Sequence, residues 1–493
     1  MLRRRLLALI TALTCASVAH GADWHVQNAE PARARPMDLA TTQTPSLDLV
    51  VAKAGAGGVT SAVLIDLQTG AILESHNPEI NLPPASVTKV VTTLYAIETL
   101  GADYRFQTRV IATGPIVGGR VMGDVILVGG GDPALDSDEL AAMAKSLRDK
   151  GAQSVEGRFL YYDAALPHLH EIDAGQPDNA GYNPGLSGLN LNFNRVFFEW
   201  DTGNGALDLS LQARARQHSP RVSAMHVEAV DRNAPIFDYS QLGGADHWSV
   251  SRAALKSPGG VWLPVRDSGA YAADVFHILA RHFGTDLPRP VRIKHLPEGT
   301  TLARMERRSL SLVARGMLHF STNVTAELLG LTATSAHHRP TSLADSAGHM
   351  RAWALARYNL ANAEFHDHSG LSEHNRISAG EMARLVAKAS REGALGGLLR
   401  RYAVPDAKTG KPVQRGAEVR AKTGTLNFVS GLSGVMTGTN GKSFAFAIFT
   451  ADLEARARID GTTSRPPGTK RFGSRARGLQ RALLTRWLLA YGA

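Results

Sequence analysis

Cysteine is nearly absent from this sequence of 493 residues. The single one, Cys15, lies within the first 21 positions. A chain that loses that segment would contain no thiol at all. It would need no disulfide bond, and it could not mispair in an oxidising compartment.

Long apolar runs are scarce as well. The hydrophobic share of 44% is that of a soluble globular protein rather than a polytopic membrane protein. The apolar run 6–13 follows three arginines, precedes a small-x-small cleavage site and is too short to span a bilayer. We interpret residues 1–21 as a secretory signal, which predicts export to the periplasm. An acylated Cys15 is the alternative, disfavoured because Leu13 and Thr14 stand where small residues are expected.

Acidic residues are the minority charge, with 44 Asp and Glu against 54 Lys and Arg and a net charge of +10. Charge alone cannot choose between nucleic acid, anionic lipid and an acidic polymer. The segment 455–486 holds nine Lys or Arg against one acid, Asp460. A solvated helix face is the first interpretation of this basic segment. Peripheral contact with the inner membrane or a cell-wall polymer is the second, and we expect no nucleic-acid partner.

The length predicts two or three domains. Residues 22–45 are polar, contain proline and show no period, which is typical of a flexible lead-in. Patterning then predicts helices and strands. The helices are expected at 46–54, from Ser86 to about 100, 137–150, 310–318, 325–331 and 475–491; the strands are expected at 61–66, 71–75, 106–112, 120–128, 157–162, 418–428, 431–437 and 443–450.

Ser86 and Lys89 form the first candidate motif, at the start of the helix expected over Ser86 to about 100. A spacing of three residues puts the hydroxyl and the amine on one helix face, one turn apart. A desolvated lysine can take the proton of a serine nucleophile, and the helix N-terminus stabilises negative charge there. A serine that merely caps the helix is the ordinary alternative.

Two further motifs follow along the chain. Ser321 and Asn323 stand in a polar break between two helices, where a hydroxyl can pass protons and a carboxamide can orient Lys89. Lys422-Thr423-Gly424-Thr425 lies in a strand-forming run, where the glycine would let a substrate backbone approach and the cation and hydroxyls could hold a carboxylate. The same triplet at 408–410 lies between prolines, and we interpret it as a loop coincidence.

The three motifs in this order resemble those of serine penicillin-binding proteins and serine β-lactamases. The long gap between the first and second motifs is similar to that of the class C, low-molecular-mass penicillin-binding proteins, the D-alanyl-D-alanine carboxypeptidase/endopeptidase family. The stretches 131–133, 190–194 and 367–372 also resemble family segments. The departures are Thr322, where the family usually has Asp, and Glu373, where a basic residue is common.

The resemblance implies an α/β fold in which helices cover both faces of an antiparallel sheet. A transpeptidase-like domain would comprise 46–103 and 300–493, with an inserted region at 104–299. It also implies a Ser86 acyl-enzyme that acts on peptidoglycan peptides ending in D-Ala-D-Ala, is acylated by β-lactams and needs no metal or organic cofactor. The balance between carboxypeptidase and endopeptidase activity stays open.

The resemblance also implies roles for individual residues. Lys89 would be the base, Ser321 and Lys422 would protonate the leaving group, and the N–H groups of Ser86 and Thr425 would bind the oxyanion. Asp163 matches a family aspartate that meets the amine of the peptide's diamino acid, although a strand-end turn residue is an equal alternative. The histidines at 366, 368 and 374 fit no zinc spacing and indicate a polar loop.

Two other functions remain open. A serine β-lactamase or esterase would need a dedicated deacylating base, and no convincing Glu-x-x-x-Asn pattern is present. A non-catalytic peptidoglycan-binding protein would have no need for all of Ser86, Lys89, Ser321, Asn323, Lys422 and Thr423.

Overall fold

The computed structural model describes residues 45–203, 207–404, 416–459 and 466–493. The predicted signal 1–21, nearly all of the lead-in 22–45, the triplet 408–410 and part of the basic segment 455–486 lie outside the described residues.

Six of the ten described helices lie where the periodicity predicts a helix. The ten are α1 (Leu47–Ala54), α2 (Thr88–Leu100), α3 (Ser137–Asp149), α4 (Ser268–His282), α5 (Leu310–Phe320), α6 (Asn323–Ser335), α7 (Leu343–Tyr358), α8 (Ala379–Arg391), α9 (Leu453–Ala457) and α10 (Thr469–Tyr491). Helices α4, α7, α8 and α9 were not predicted. Several begin at a side-chain cap, as α5 does at Ser309, whose hydroxyl accepts from the N–H of Leu312.

The strands of the described residues are more numerous than the alternation in the sequence predicts. They are β1 (Val59–Asp66), β2 (Ile72–His76), β3 (Asn81–Leu82), β4 (Thr108–Ala112), β5 (Ile116–Val117), β6 (Arg120–Val121), β7 (Val125–Gly129), β8 (Ser154–Val155), β9 (Phe159–Tyr162), β10 (Arg195–Asp201), β11 (Asp208–Gln212), β12 (Met225–Val230), β13 (Phe237–Leu242), β14 (Ala245–Ser251), β15 (Gly259–Pro264), β16 (Val291–Ile293), β17 (Thr300–Met305), β18 (Ile377–Ser378), β19 (Arg400–Arg401), β20 (Glu418–Leu426), β21 (Val429–Thr437) and β22 (Ser443–Ala451).

One large antiparallel sheet organises the molecule, in the order β19-β20-β21-β22-β1-β2. Its central strands β1 and β22 are buried along almost their whole length rather than at alternate positions. The reason is that α2 and α5 to α8 pack on one face, while α1 and α10 pack on the other. The α/β fold class with helices on both sheet faces is therefore confirmed.

The region between the first and second motifs forms further layers. A five-stranded sheet in the order β16-β9-β7-β4-β17 packs with α3 and α4 around a core that includes Phe159, Trp248 and Phe276. Two three-stranded sheets, β11-β10-β15 and β12-β14-β13, extend this core.

The expected border of the inserted region, at 299/300, falls directly before strand β17. Strand β17, which begins at Thr300, pairs with β4 over Thr300↔Ala112 to Met305↔Thr108. The chain therefore stays in the inserted sheet for about one more strand before α5 begins. We use "inserted segment" below for residues 104–305.

The C-terminal helix α10 begins at Thr469, earlier than the periodicity at 475–491 indicates, and it is held on the large sheet. Its apolar side chains, among them Leu483 and Trp487, are buried against the sheet. The carboxylate of Glu74 on β2 accepts from Arg486 and from the indole N–H of Trp487 at 2.9 Å. The apolar face of this helix is thus used inside the fold. Among the described residues, no helix is both long enough and apolar enough to cross a bilayer.

Candidate active site

Ser86 lies in a short 3-10 turn, Ala85–Val87, that runs directly into α2. It caps no helix N–H, so the ordinary alternative for this residue does not hold. The preceding Ala85 has φ +49°, a strained value for a residue with a Cβ. Two glycines allow close packing there. A Cβ at Gly370 would lie 1.9 Å from Ala85 O, and one at Gly424 would lie 2.4 Å from Pro84 O. The turn is therefore clamped from both sides.

Lys89 is fully buried and hydrogen-bonded at every N–H. Its Nζ donates to Ser86 Oγ at 3.0 Å, to Asn323 Oδ1 at 2.8 Å and to the backbone carbonyl of Ser369 at 2.7 Å. Burial lowers the pKa of Lys89 to about 8, while the negative charges of Glu327 and Asp367 oppose that shift. A pKa of about 8 leaves roughly a tenth of the amine neutral at pH 7, and this neutral form can remove a proton from Ser86.

Ser321 and Lys422 form a second contact beside the first. Ser321 ends α5 in the left-handed conformation with φ +60°, and its hydroxyl accepts from Lys422 Nζ at 2.9 Å. Lys422 Nζ also donates to Thr423 O at 2.7 Å. Burial lowers the pKa of Lys422 well below its usual value, and the cations Lys89 and Arg400 add to the shift. The structure therefore brings all three motifs together, although the second and third lie far from the first in sequence.

Gly424 was expected to let a substrate backbone approach, but in the structure it contacts another part of the chain. The backbone that approaches it closely is the protein's own, since a Cβ there would also lie 3.2 Å from Ser86 N. This contact places strand β20 directly beside the backbone of Ser86. Thr423 and Thr425, the neighbours of Gly424, are exposed to solvent.

The inserted segment contributes a backbone group to this site. Asn323 Nδ2 donates to the carbonyl of Tyr182 at 3.1 Å, which fixes the amide so that its oxygen faces Lys89. The loop that carries Tyr182 is held by buried Arg266, which donates to Asn183 O at 2.8 Å and to Asp178 O at 2.9 Å. The pattern of the sequence did not predict this loop contact.

Glu327 is a site residue that sequence reasoning missed. It lies one turn after Asn323 on α6 and is fully buried. Its carboxylate accepts the backbone N–H groups of His368 and Ser369 at 2.8 and 2.9 Å, and it thereby holds the loop whose carbonyl binds Lys89. An acidic residue on the same helix face as Asn323 was the available signal.

Asp163 is buried and already paired, so it does not present a free carboxylate. Its Oδ2 accepts from Arg292 Nε at 3.1 Å, and Arg292 also pairs with Asp267. Ligand atoms of Asp163, His168 and Asp267 lie within 4.8 Å of one another, a spacing that a metal ion could use. Arg292 supplies positive charge to both carboxylates, which weakens the case for a cation there.

The loop at 366–374 is built from hydrogen bonds among its own residues. Asp367 accepts from the N–H groups of Gly370 and Ser372 and from the side chain of Asn375. His368 is fully buried, and its Nε2 lies 2.8 Å from Ser346 Oγ. Glu373 lies near Arg456, with Oε2 3.4 Å from its Nε. His368 is thus part of the packing of the loop, whereas His366 and His374 are exposed.

Comparisons with known proteins place this chain in a family. The profile of the D-Ala-D-Ala carboxypeptidase 3 (S13) family matches residues 43–465. The chain is 24% identical to D-alanyl-D-alanine carboxypeptidase DacB of Haemophilus influenzae over 414 residues, which cover 78% of this chain and 85% of that protein. It is 27% identical to the D-alanyl-D-alanine carboxypeptidase of Actinomadura sp. strain R39 over 484 residues, 90% of this chain and 86% of that protein.

Structure comparison gives the same fold. The crystal structure of penicillin binding protein 4 (dacB) from Haemophilus influenzae superposes with a TM-score of 0.70 at 21% identity, covering 89% of this chain and 99% of that one.

Proposed function

The chain belongs to the D-Ala-D-Ala carboxypeptidase (S13) family, and from this premise we propose that it cleaves peptidoglycan peptides through an acyl-enzyme on Ser86. The observation that carries the proposal is the contact of 3.0 Å between Lys89 Nζ and Ser86 Oγ. This contact pairs a half-buried serine hydroxyl with a fully buried amine of lowered pKa.

In the first half of the reaction, Ser86 Oγ attacks the carbonyl of the penultimate D-Ala and neutral Lys89 accepts its proton. The backbone N–H groups of Ser86 and Thr425 are the proposed oxyanion donors. The close approach of Gly424 to Ser86 N supports this assignment. Loss of one such donor costs about 3–4 kcal/mol of transition-state stabilisation in other acyl-transfer enzymes.

In the second half, the peptide C–N bond breaks and the departing amine takes a proton from Ser321 Oγ. Lys422 Nζ, which already donates to that hydroxyl at 2.9 Å, replaces the proton. The proton that Lys89 took from Ser86 passes through solvent to Lys422, which returns both lysines to their starting states. Water then attacks the Ser86 ester with neutral Lys89 as the base, and the shortened peptide leaves. The exposed hydroxyls of Thr423 and Thr425 are proposed to hold the carboxylate of the terminal D-Ala.

The same serine is proposed to react with β-lactams. It is also proposed to act on cross-links, where the leaving amine belongs to a second peptide. The signal interpretation of residues 1–21 supports export to the periplasm, where this substrate lies.

Intact-mass analysis after incubation with penicillin tests the proposal. We expect one adduct on the protein, no adduct on Ser86→Ala, and a normal adduct on Ser75→Ala, which removes an exposed hydroxyl from β2. An adduct that disappears within minutes would favour a β-lactamase. No adduct at saturating drug, with the protein folded, would favour a non-catalytic binding protein.

A further inference from the structure

The outer edge of β20 is the feature from which this inference starts. Strand β19 pairs with β20 only through Arg400↔Ala421 and Arg401↔Arg420. From Lys422 to Leu426, the described part of the chain places no strand on that edge. An extended peptide can bind such an edge by continuing the sheet.

The direction of a bound peptide follows from two contacts already described. The backbone of Ser86, which attacks the acyl group, lies beside Gly424. Ser321, which protonates the leaving group, bonds to Lys422. A peptide on this edge therefore runs antiparallel to β20, as β19 does, and its leaving portion points from Lys422 towards Arg400.

Cations surround the space that the leaving portion would enter. Arg315 and His319 lie one turn apart at the end of α5, just before Ser321. Arg420 and Lys422 lie two residues apart on β20 and so face the same side of the strand. The pKa of His319 is lowered by burial first and then by Arg315, Arg400 and Arg420, so the cations of the two elements lie near one another.

Few carboxylates pair with the cations of α5, β19 and β20. Glu418 pairs with both Arg401 and Arg420, at 2.7 and 2.9 Å. Among the residues that the structure describes, no carboxylate lies within 4.0 Å of a side-chain nitrogen of Arg315 or Arg400. Both side chains are exposed. They are therefore available to a ligand that carries negative charge.

We propose that Arg315 and Arg400 form a leaving-group site for a carboxylate-rich peptide, namely the second stem peptide of a cross-link. The inference rests on the proposed function. In carboxypeptidase action the leaving group is a single D-Ala, whose one carboxylate stays near Thr423 and Lys422. In endopeptidase action the leaving amine belongs to a whole peptide with several carboxylates, which extends to the arginines. The site would thus favour cleavage of cross-links.

The chemistry at the scissile bond is the same in both cases. The amide bond between the D-Ala carbonyl and the leaving amine breaks as the Ser86 ester forms. The proton that Ser86 loses goes to Lys89, and the amine receives one from Ser321. Water later releases the acyl group, so no further reactant is needed.

The experiment compares two substrates, a purified cross-linked peptide dimer and the monomeric pentapeptide. The readout is the ratio of kcat/KM for the dimer to kcat/KM for the monomer, which cancels effects on Ser86 acylation itself. The variants are Arg315→Gln, Arg400→Gln and the double variant. Arg401→Gln is the matched control, because it removes the same charge from the same strand but from a side chain paired with Glu418.

We expect the double variant to lower the dimer-to-monomer ratio about tenfold and each single variant about threefold, while Arg401→Gln changes it less than about twofold. Raising the salt concentration should lower the ratio for the unmodified protein and leave it nearly constant for the double variant. Penicillin adduct formation confirms that each variant is folded, and the single variants carry the test if the double one is not.

A ratio that is unchanged in both single variants would overturn the inference. An unmodified protein that processes the monomer but not the dimer would do the same. Loss of both activities together with the absence of a penicillin adduct would instead reject the proposed function.

Discussion

Replacing Glu327 by glutamine tests how the charge of Lys89 is set. The carboxylate of Glu327 accepts the N–H of Ser369 at 2.9 Å, and the carbonyl of the same residue accepts from Lys89 Nζ at 2.7 Å. Two hydrogen bonds with one residue of backbone between them place the charges roughly 7 Å apart. At an effective dielectric constant of about 20, that separation corresponds to about 2 kcal/mol, or roughly 1.5 pKa units.

The direction of the effect follows from the base that the mechanism needs. Burial lowers the pKa of Lys89 to about 8, and the charges of Glu327 and Asp367 counteract part of the lowering. In the unmodified protein, acylation should therefore rise with pH up to about 8 and then level off. Glu327→Gln removes one counteracting charge, so the pKa of Lys89 falls further. Burial also raises the pKa of Glu327 to about 8, so its carboxylate is charged over only part of this range. The acid limb of the rate profile should therefore move to lower pH, by at most roughly 1.5 units.

The assay is the second-order rate of acylation by a chromogenic cephalosporin, measured across the pH range. Glu381→Gln is the matched control, because Glu381 is equally buried but accepts from the N–H of Asn362 rather than from the loop that binds Lys89. Melting temperatures of both variants separate a change of charge from a loss of structure. An acid limb that does not move in Glu327→Gln would mean that Glu327 carries no charge over that range, and the reasoning would be refuted.

Two further substitutions test the packing around the site. Gly330→Ala places a Cβ 2.1 Å from the buried ring of His368. We expect the free energy of unfolding, measured with urea, to fall by about 2–4 kcal/mol. The control Gly348→Ala, in the open middle of α7, should leave this free energy unchanged or raise it slightly. Arg266→Ala removes the donors that hold the loop in contact with the second motif. It should slow acylation about tenfold and lower the melting temperature. The control Arg252→Ala, which replaces an exposed arginine of the inserted segment, should change neither quantity. Equal behaviour within either pair would contradict the packing described here.

The elements of the large sheet could be predicted because their signals are local. Strands β1, β20, β21 and β22 and helix α2 all lie within a few residues of the positions that patterning indicates. In the inserted segment, strands do lie within the ranges expected at 106–112, 120–128 and 157–162, but most of the other strands there were not predicted. Many of its strands are only two to six residues long, so their pairing depends on partners that are distant in sequence rather than on a long alternating run.

Asp163 and Glu327 show why the partners of some site residues could not be predicted from the sequence. Asp163 was expected to face a substrate amine, but its partner Arg292 lies 129 residues away, and no local pattern reports such a pair. Glu327 carried a local signal, its place one turn after Asn323, but its importance depends on the loop at 368 and 369, which only the fold brings next to it.

The proximity of Ser86 and Lys89 was indicated by the sequence itself, because two residues three apart at the start of a helix lie on the same face. The contact between Ser321 and Lys422 spans 101 residues, and only the tertiary structure brings the end of α5 to Lys422 on β20. The lowered pKa values of both lysines belong to the tertiary structure too. They arise from burial, and burial depends on which distant helices and strands cover the residue.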